Sequence, residues 1–201
     1  GRDVNARAER DAVRASEEAD GTRNEGVCGG GGGGEGKACP GGIVSHHEIV
    51  NDEVGGEPVA VTYCPLTGTG QGFHGGETTV GVAGRVVNSN GIMYDRATET
   101  WWPQILATSI PGPWNDPPST RSLREFGLVW TTWGSWRETH PDTLVLSTDT
   151  GSAQNYGRDP YGSYNPLGGY YKNGNTLFET LKEDDRFDRV VVDTAPTGHT
   201  L

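Results

Sequence analysis

His46-His47-Glu48-Ile49-Val50-Asn51-Asp52, then Val59-Ala60-Val61, then Thr62-Tyr63-Cys64-Pro65-Leu66-Thr67-Gly68-Thr69: the fold is decided by how these stretches are read. Val59-Ala60-Val61 is a short apolar run with no polar alternation, the pattern of a buried strand. A histidine pair, a carboxylate and a lone cysteine flank it. Soft and borderline donors close to a strand end suit a chemical site, so one is expected here. The residues by themselves name no reaction.

Outward from this point, strand signals dominate. Segments 58–63, 78–82, 85–87, 128–132, 144–146 and 189–192 are rich in β-formers. Turn chemistry separates them at Gly55-Gly56, Gly75-Gly76, Asn90-Gly91, Gly112 and Asn173-Gly174. One helix is predicted over 132–140, where Trp133 and Trp136 recur at i, i+3 and Pro141 follows. The charged stretch 5–20 offers no apolar face and reads as a surface arm with helical character. The expected fold is α+β and β-rich: an N-terminal arm over 1–25, then a single mixed or antiparallel β domain over 26–201 with a few short helices.

Composition narrows the partners. Asp and Glu number 27 against 16 Lys and Arg, a net charge of −11, and only Lys37, Lys172 and Lys182 are lysines. Phosphate binding needs a basic footprint, so nucleic acid and anionic membranes are disfavoured. An acidic, lysine-poor surface suits high-salt water and points to a halophilic source. No apolar run reaches the roughly 18 residues of a membrane-spanning helix, and no basic-then-apolar leader opens the chain. Three cysteines, Cys28, Cys39 and Cys64, exclude a full disulfide framework and leave room for one bridge.

Two nucleotide-like signals fail on inspection. Gly31-x4-Gly36-Lys37 resembles a phosphate-cradling loop, but Ala38 stands where a hydroxyl should follow, and Cys39-Pro40 opposes a following helix. Val190-Val191-Val192-Asp193-Thr194-Ala195-Pro196-Thr197-Gly198-His199-Thr200-Leu201 resembles a segment of the arsenite-pump ATPases. Those enzymes need an intact phosphate loop, so the match is read either as coincidence or as an error in the sequence at this end, and no nucleotide site is assigned. The six tryptophans suit either carbohydrate stacking or, more simply, core area in a β-rich domain.

A longer resemblance covers most of the chain. His47-Glu48-Ile49-Val50-Asn51-Asp52, Thr62-Tyr63-Cys64-Pro65-Leu66-Thr67-Gly68-Thr69, Asn88-Ser89-Asn90-Gly91-Ile92-Met93-Tyr94-Asp95-Arg96 and Asp159-Pro160-Tyr161-Gly162-Ser163-Tyr164 stand in this order. Together they resemble the DUF3179 family, a domain of unknown function in bacteria and haloarchaea. The resemblance implies an apolar strand where this chain has Gly26 to Gly36, so the six glycines 29–34 are read as standing in a strand's place rather than as a linker. Family members look exported or lipid-anchored, which implies an extracytoplasmic, cell-surface setting.

The resemblance makes His47 the typical histidine and His46 the variable one. Neighbours on a strand point to opposite faces, so the two would not share a metal. His47 with Cys64 is the better candidate pair, a borderline and a soft donor suited to copper or zinc. Many relatives carry a second cysteine where Thr67 stands, so a dithiol site is not expected here. Glu48, Asn88 and Asp95 are further ligand-binding candidates, with a turn cap as the alternative for Asp95. Three functions stay open: a His47/Cys64 metal or ligand site, a Cys64-dependent redox or transfer enzyme, and a homo-oligomeric structural subunit of a surface assembly. An inert buried thiol and a backbone-bonded histidine would serve the last.

Overall fold

A computed structural model describes residues 4–5, 13–15, 26–32, 35–110, 120–158 and 160–161. The predicted strand at 189–192 lies outside these residues, as does most of the arm. The described elements run β1 (Val4–Asn5), β2 (Val13–Ala15), β3 (Gly26–Gly32), β4 (Glu35–Pro40), α1 (Gly41–His47), β5 (Ile49–Val54), β6 (Glu57–Cys64) and β7 (Thr69–His74). They continue as β8 (Val80–Val87), β9 (Asn90–Asp95), β10 (Trp101–Pro103), β11 (Glu125–Phe126), β12 (Leu128–Thr132), α2 (Trp133–Thr139) and β13 (Leu144–Leu146). The fold is a β-rich α+β domain. Its strands form three sheets, ordered β1-β5-β6-β7-β11, β10-β9-β8 and β12-β3-β4-β13-β2.

Strands β5 and β6 lie in the middle of the first sheet and explain its unbroken apolar run. Ile49 and Ala60 pack on one face with Phe73, Val80, Met93, Trp102 and Ala107. Val50 and Val61 pack on the other face with Cys39 and Val44. Strands covered on both faces lose their polar alternation. Gly55-Gly56 closes the β5–β6 hairpin with positive φ at both residues, as a two-residue turn between right-twisted strands requires. Asn51, 5 % exposed, bridges two sheets: its side-chain amide donates to the Val80 carbonyl at 3.0 Å and accepts from the Val80 N–H at 2.8 Å.

Three sequence readings change. The histidine pair is not on a strand; it ends α1, a short helix started after Pro40 and stopped at Glu48, whose φ is 63°. The β8–β9 turn falls on Asn88-Ser89, both at positive φ, and not on Asn90-Gly91, which belong to β9. Within the N-terminal arm, read as helical over 5–20, Val13–Ala15 is a strand paired with β13, and Val4–Asn5, at the start of that stretch, is one paired with β5. The glycine stretch keeps the reading given it: Gly29–Gly32 belong to β3, which pairs with β4 on one edge and β12 on the other. The predicted helix near 132–140 is present as α2: the Thr132 hydroxyl accepts from the Ser135 N–H, and Trp133 and Trp136 are buried at its i, i+3 positions. Among the described residues no helix is long and apolar enough to cross a membrane.

Candidate functional site

The end of β6 gathers most of the singled-out residues. Ile49 pairs with Thr62, and the Tyr63 N–H donates to the Glu48 carbonyl at 2.6 Å, so the α1–β5 junction sits beside Tyr63 and Cys64. Cys64 is a free thiol, 3 % exposed, whose Sγ accepts the Gly91 N–H at 3.2 Å. Cys64 and Glu48 line one small cavity of about 20 Å³ together with Thr62, Tyr63, Gly91, Met93 and Gln104. That is room for about one water molecule or a single ion.

A buried amide network reaches this cavity through Gln104 and Thr62, which line it. Gln104, 2 % exposed, donates through Nε2 to the Thr62 hydroxyl at 3.0 Å and to the Thr69 carbonyl at 2.9 Å. Asn90 donates to Gln104 Oε1 at 3.0 Å and accepts the Ile105 N–H at 2.9 Å. The Thr62 hydroxyl passes its own proton to the Gln71 carbonyl. Buried amides are costly unless bonded, and here the bonds together tie the Cys64-Pro65-Leu66-Thr67-Gly68-Thr69 turn to β9 and to the segment after β10. Neither Asn90 nor Gln104 stood out as a site residue in the sequence. Their partners lie 14 to 42 positions away, so no local spacing betrays them.

His47, 3 % exposed, faces a different group. Its Nε2 shares a 2.6 Å hydrogen bond with the Tyr156 hydroxyl, which also meets the Thr150 hydroxyl. The His46 ring stands edge-on to Tyr156 at 5.4 Å, and its Nδ1 bonds the Gly42 carbonyl. A Cβ at Gly42 would collide with the Tyr156 carbonyl oxygen, so glycine lets this loop lie against α1. The Tyr161 hydroxyl donates to Glu48 Oε1 at 3.3 Å. Tyr156 and Tyr161 therefore hold the segment after β13 onto α1 and the Glu48 wall of the cavity. Tyr161 sits in a recognisable motif; Tyr156, 109 positions from His47, carried no signal.

Asn88 and Asp95 are placed elsewhere in the hairpin. Asn88 is the first central residue of the β8–β9 turn. Asp95 accepts from the Ala97 and Thr98 N–H groups, the Thr98 hydroxyl and the Trp102 indole N–H. Burial by itself raises its pKa, but these hydrogen bonds outweigh burial and hold the carboxyl below its usual value. Among the described residues, no group of three or more His, Cys, Asp or Glu is gathered to hold a metal. The cavity thus brings Cys64 together with Glu48, while His47 is engaged by the tyrosine segment behind them.

No curated protein and no solved structure matches the chain. The model of a family described as protein of unknown function, DUF3179, matches residues 10–195, and with nearly its whole length covered the chain belongs to that family.

Proposed function

We propose that the chain is an extracytoplasmic ligand-binding domain whose site is the Cys64–Glu48 cavity, with His47 positioning the tyrosine segment beside it. The observation that carries this reading is the shared cavity: Cys64 and Glu48, a thiol-bearing and a carboxylate-bearing residue, both line one water-sized space beside the hydrogen-bonded amide of Gln104. So small a space favours a single ion over an organic substrate. A soft and a hard donor together suit copper or zinc, with solvent completing the coordination. The acidic, lysine-poor composition and the exported look of the family support a cell-surface setting in a high-salt organism.

Elemental analysis of protein from its source, followed by zinc(II) titration calorimetry, tests the reading. About one ion per chain is expected, lost in both Cys64→Ala and Glu48→Gln. Full-strength zinc binding by both variants, or none by the parent chain, would sink it. A second reading, a subunit of a surface assembly, draws on the exposed Val86, Ile105, Leu106 and Val129. Sedimentation equilibrium showing only monomer counts against that one.

A further inference from the structure

The cavity beside Cys64 has a second sulfur-bearing residue in its wall. Met93, the single methionine of the chain, lines it and is 3 % exposed. Strand register brings the two residues to one interlayer space from opposite sides. Ile49 pairs with Thr62, and Cys64 stands two residues after Thr62, so Cys64 belongs to the Ile49 and Ala60 face of the first sheet. A Cβ on Gly91 would lie 3.6 Å from Cys64 Sγ, so that face of β9 looks onto the thiol. Met93 is two residues after Gly91 on the same face, and it packs with Ile49 and Ala60 in one cluster.

Resting on the single-ion reading of this cavity, we infer that the ion is Cu(I), held by Cys64 Sγ and Met93 Sδ. A thiolate and a thioether are soft donors, and such a set selects cuprous ions over zinc. Zinc sites draw more often on imidazole and carboxylate. Here the imidazole of His47 is engaged by Tyr156, which leaves Glu48 as the hard donor of the cavity. Cuprous ions accept low coordination numbers, which suits a space of about 20 Å³.

Binding exchanges one proton for the ion. The Cys64 S–H bond breaks, the proton leaves to solvent, and the sulfur electron pair forms the bond to copper. The Met93 thioether gives a lone pair and loses nothing, so copper keeps its oxidation state. Thiolate and Cu(I) cancel in charge, which lowers the cost of burying them together. The Gly91 N–H, 3.2 Å from Sγ, remains a donor to the sulfur as a thiolate.

The test titrates the reduced full chain, without oxygen, with Cu(I) in competition with bathocuproine disulfonate, and in parallel with zinc(II). One Cu(I) per chain is expected, held about 100-fold more tightly than zinc or better. Met93→Leu conserves volume in the core and should weaken Cu(I) by about tenfold or more, while zinc moves by less than about twofold. An unchanged melting curve for Met93→Leu assigns that loss to the ligand and not to the fold. Because the chain has one methionine, selenomethionine labelling places selenium at position 93 with no substitution. X-ray absorption at the selenium edge should then show a copper neighbour in the loaded protein. Zinc held as tightly as Cu(I), unchanged Cu(I) affinity in Met93→Leu, or selenium without a copper neighbour overturns the Cu(I) site and leaves the single-ion reading to its zinc result. Neither ion bound by the parent chain removes that reading and the Cu(I) site with it.

Discussion

Asp95 shows what a single side chain contributes here, because four donors converge on one carboxylate and one of them is the indole of buried Trp102. Removing the carboxylate leaves those donors facing a partly dry pocket. Asp95→Ala should therefore cost about 2–4 kcal/mol in urea denaturation, the range for losing charge-assisted bonds and stranding their partners. The pH dependence has a definite sign. The folded-state pKa lies below the ordinary 3.8, so between the two values the unfolded state binds more protons, and stability rises with pH across that window. The contribution is fully present above the unfolded value and is lost as pH falls through the folded one. Against an Asp95→Asn reference, the parent chain should lose its advantage only below about pH 4. An advantage that persists unchanged well below that would show that the carboxylate does not carry the turn.

At the scale of elements, the β8–β9 hairpin sets a local rule against a tertiary one. Asn90-Gly91 is the strongest two-residue turn signal in this region, yet the chain turns two residues earlier, at Asn88-Ser89. Asn90 is needed inside, bonded to Gln104 and Ile105, and Gly91 offers its N–H to Cys64. The polar network thus outweighs the preferred turn and leaves Ser89 at a φ of 64°, where a Cβ is unfavourable. Ser89→Gly should stabilise the protein by about 0.5–1 kcal/mol in chemical denaturation, since glycine adopts that conformation without strain. A loss of stability would place the strain elsewhere. The same contrast explains what was legible in the sequence. Val59-Ala60-Val61 announced its strand because both its faces are core, and Trp133 with Trp136 announced α2 by spacing. The histidines were misassigned because a seven-residue helix opened by Gly41-Gly42 carries no periodicity. Of the proposed site, Cys64 and Glu48 stand in legible motifs, but the bond between His47 and Tyr156 is made only when distant segments meet.

At the scale of the whole molecule, the charge balance becomes a question of where the few cations sit. Lys37 is held 3.0 Å from Asp52, and both side chains are largely covered. Arg85 and Arg96 lie over the rings of Trp101 and Tyr94. These cations are already committed to local partners, while the net charge of −11 leaves an excess of carboxylates. Repulsion among them opposes the compact state, and mobile salt is what screens it. Screening lengths fall from about 30 Å at 0.01 M to about 10 Å at 0.1 M and about 3 Å at 1 M, so most of the relief arrives early. The Tm should rise by about 5 °C or more between 0.05 and 0.5 M sodium chloride and flatten above that. Sodium sulfate separates this mechanism from surface exclusion, which strengthens burial in proportion to salt and depends on the anion. At equal ionic strength the two salts should give the same early rise. A gain that is linear in concentration and larger in sulfate would mean that carboxylate repulsion is not what limits stability, and that the acidic surface has another role.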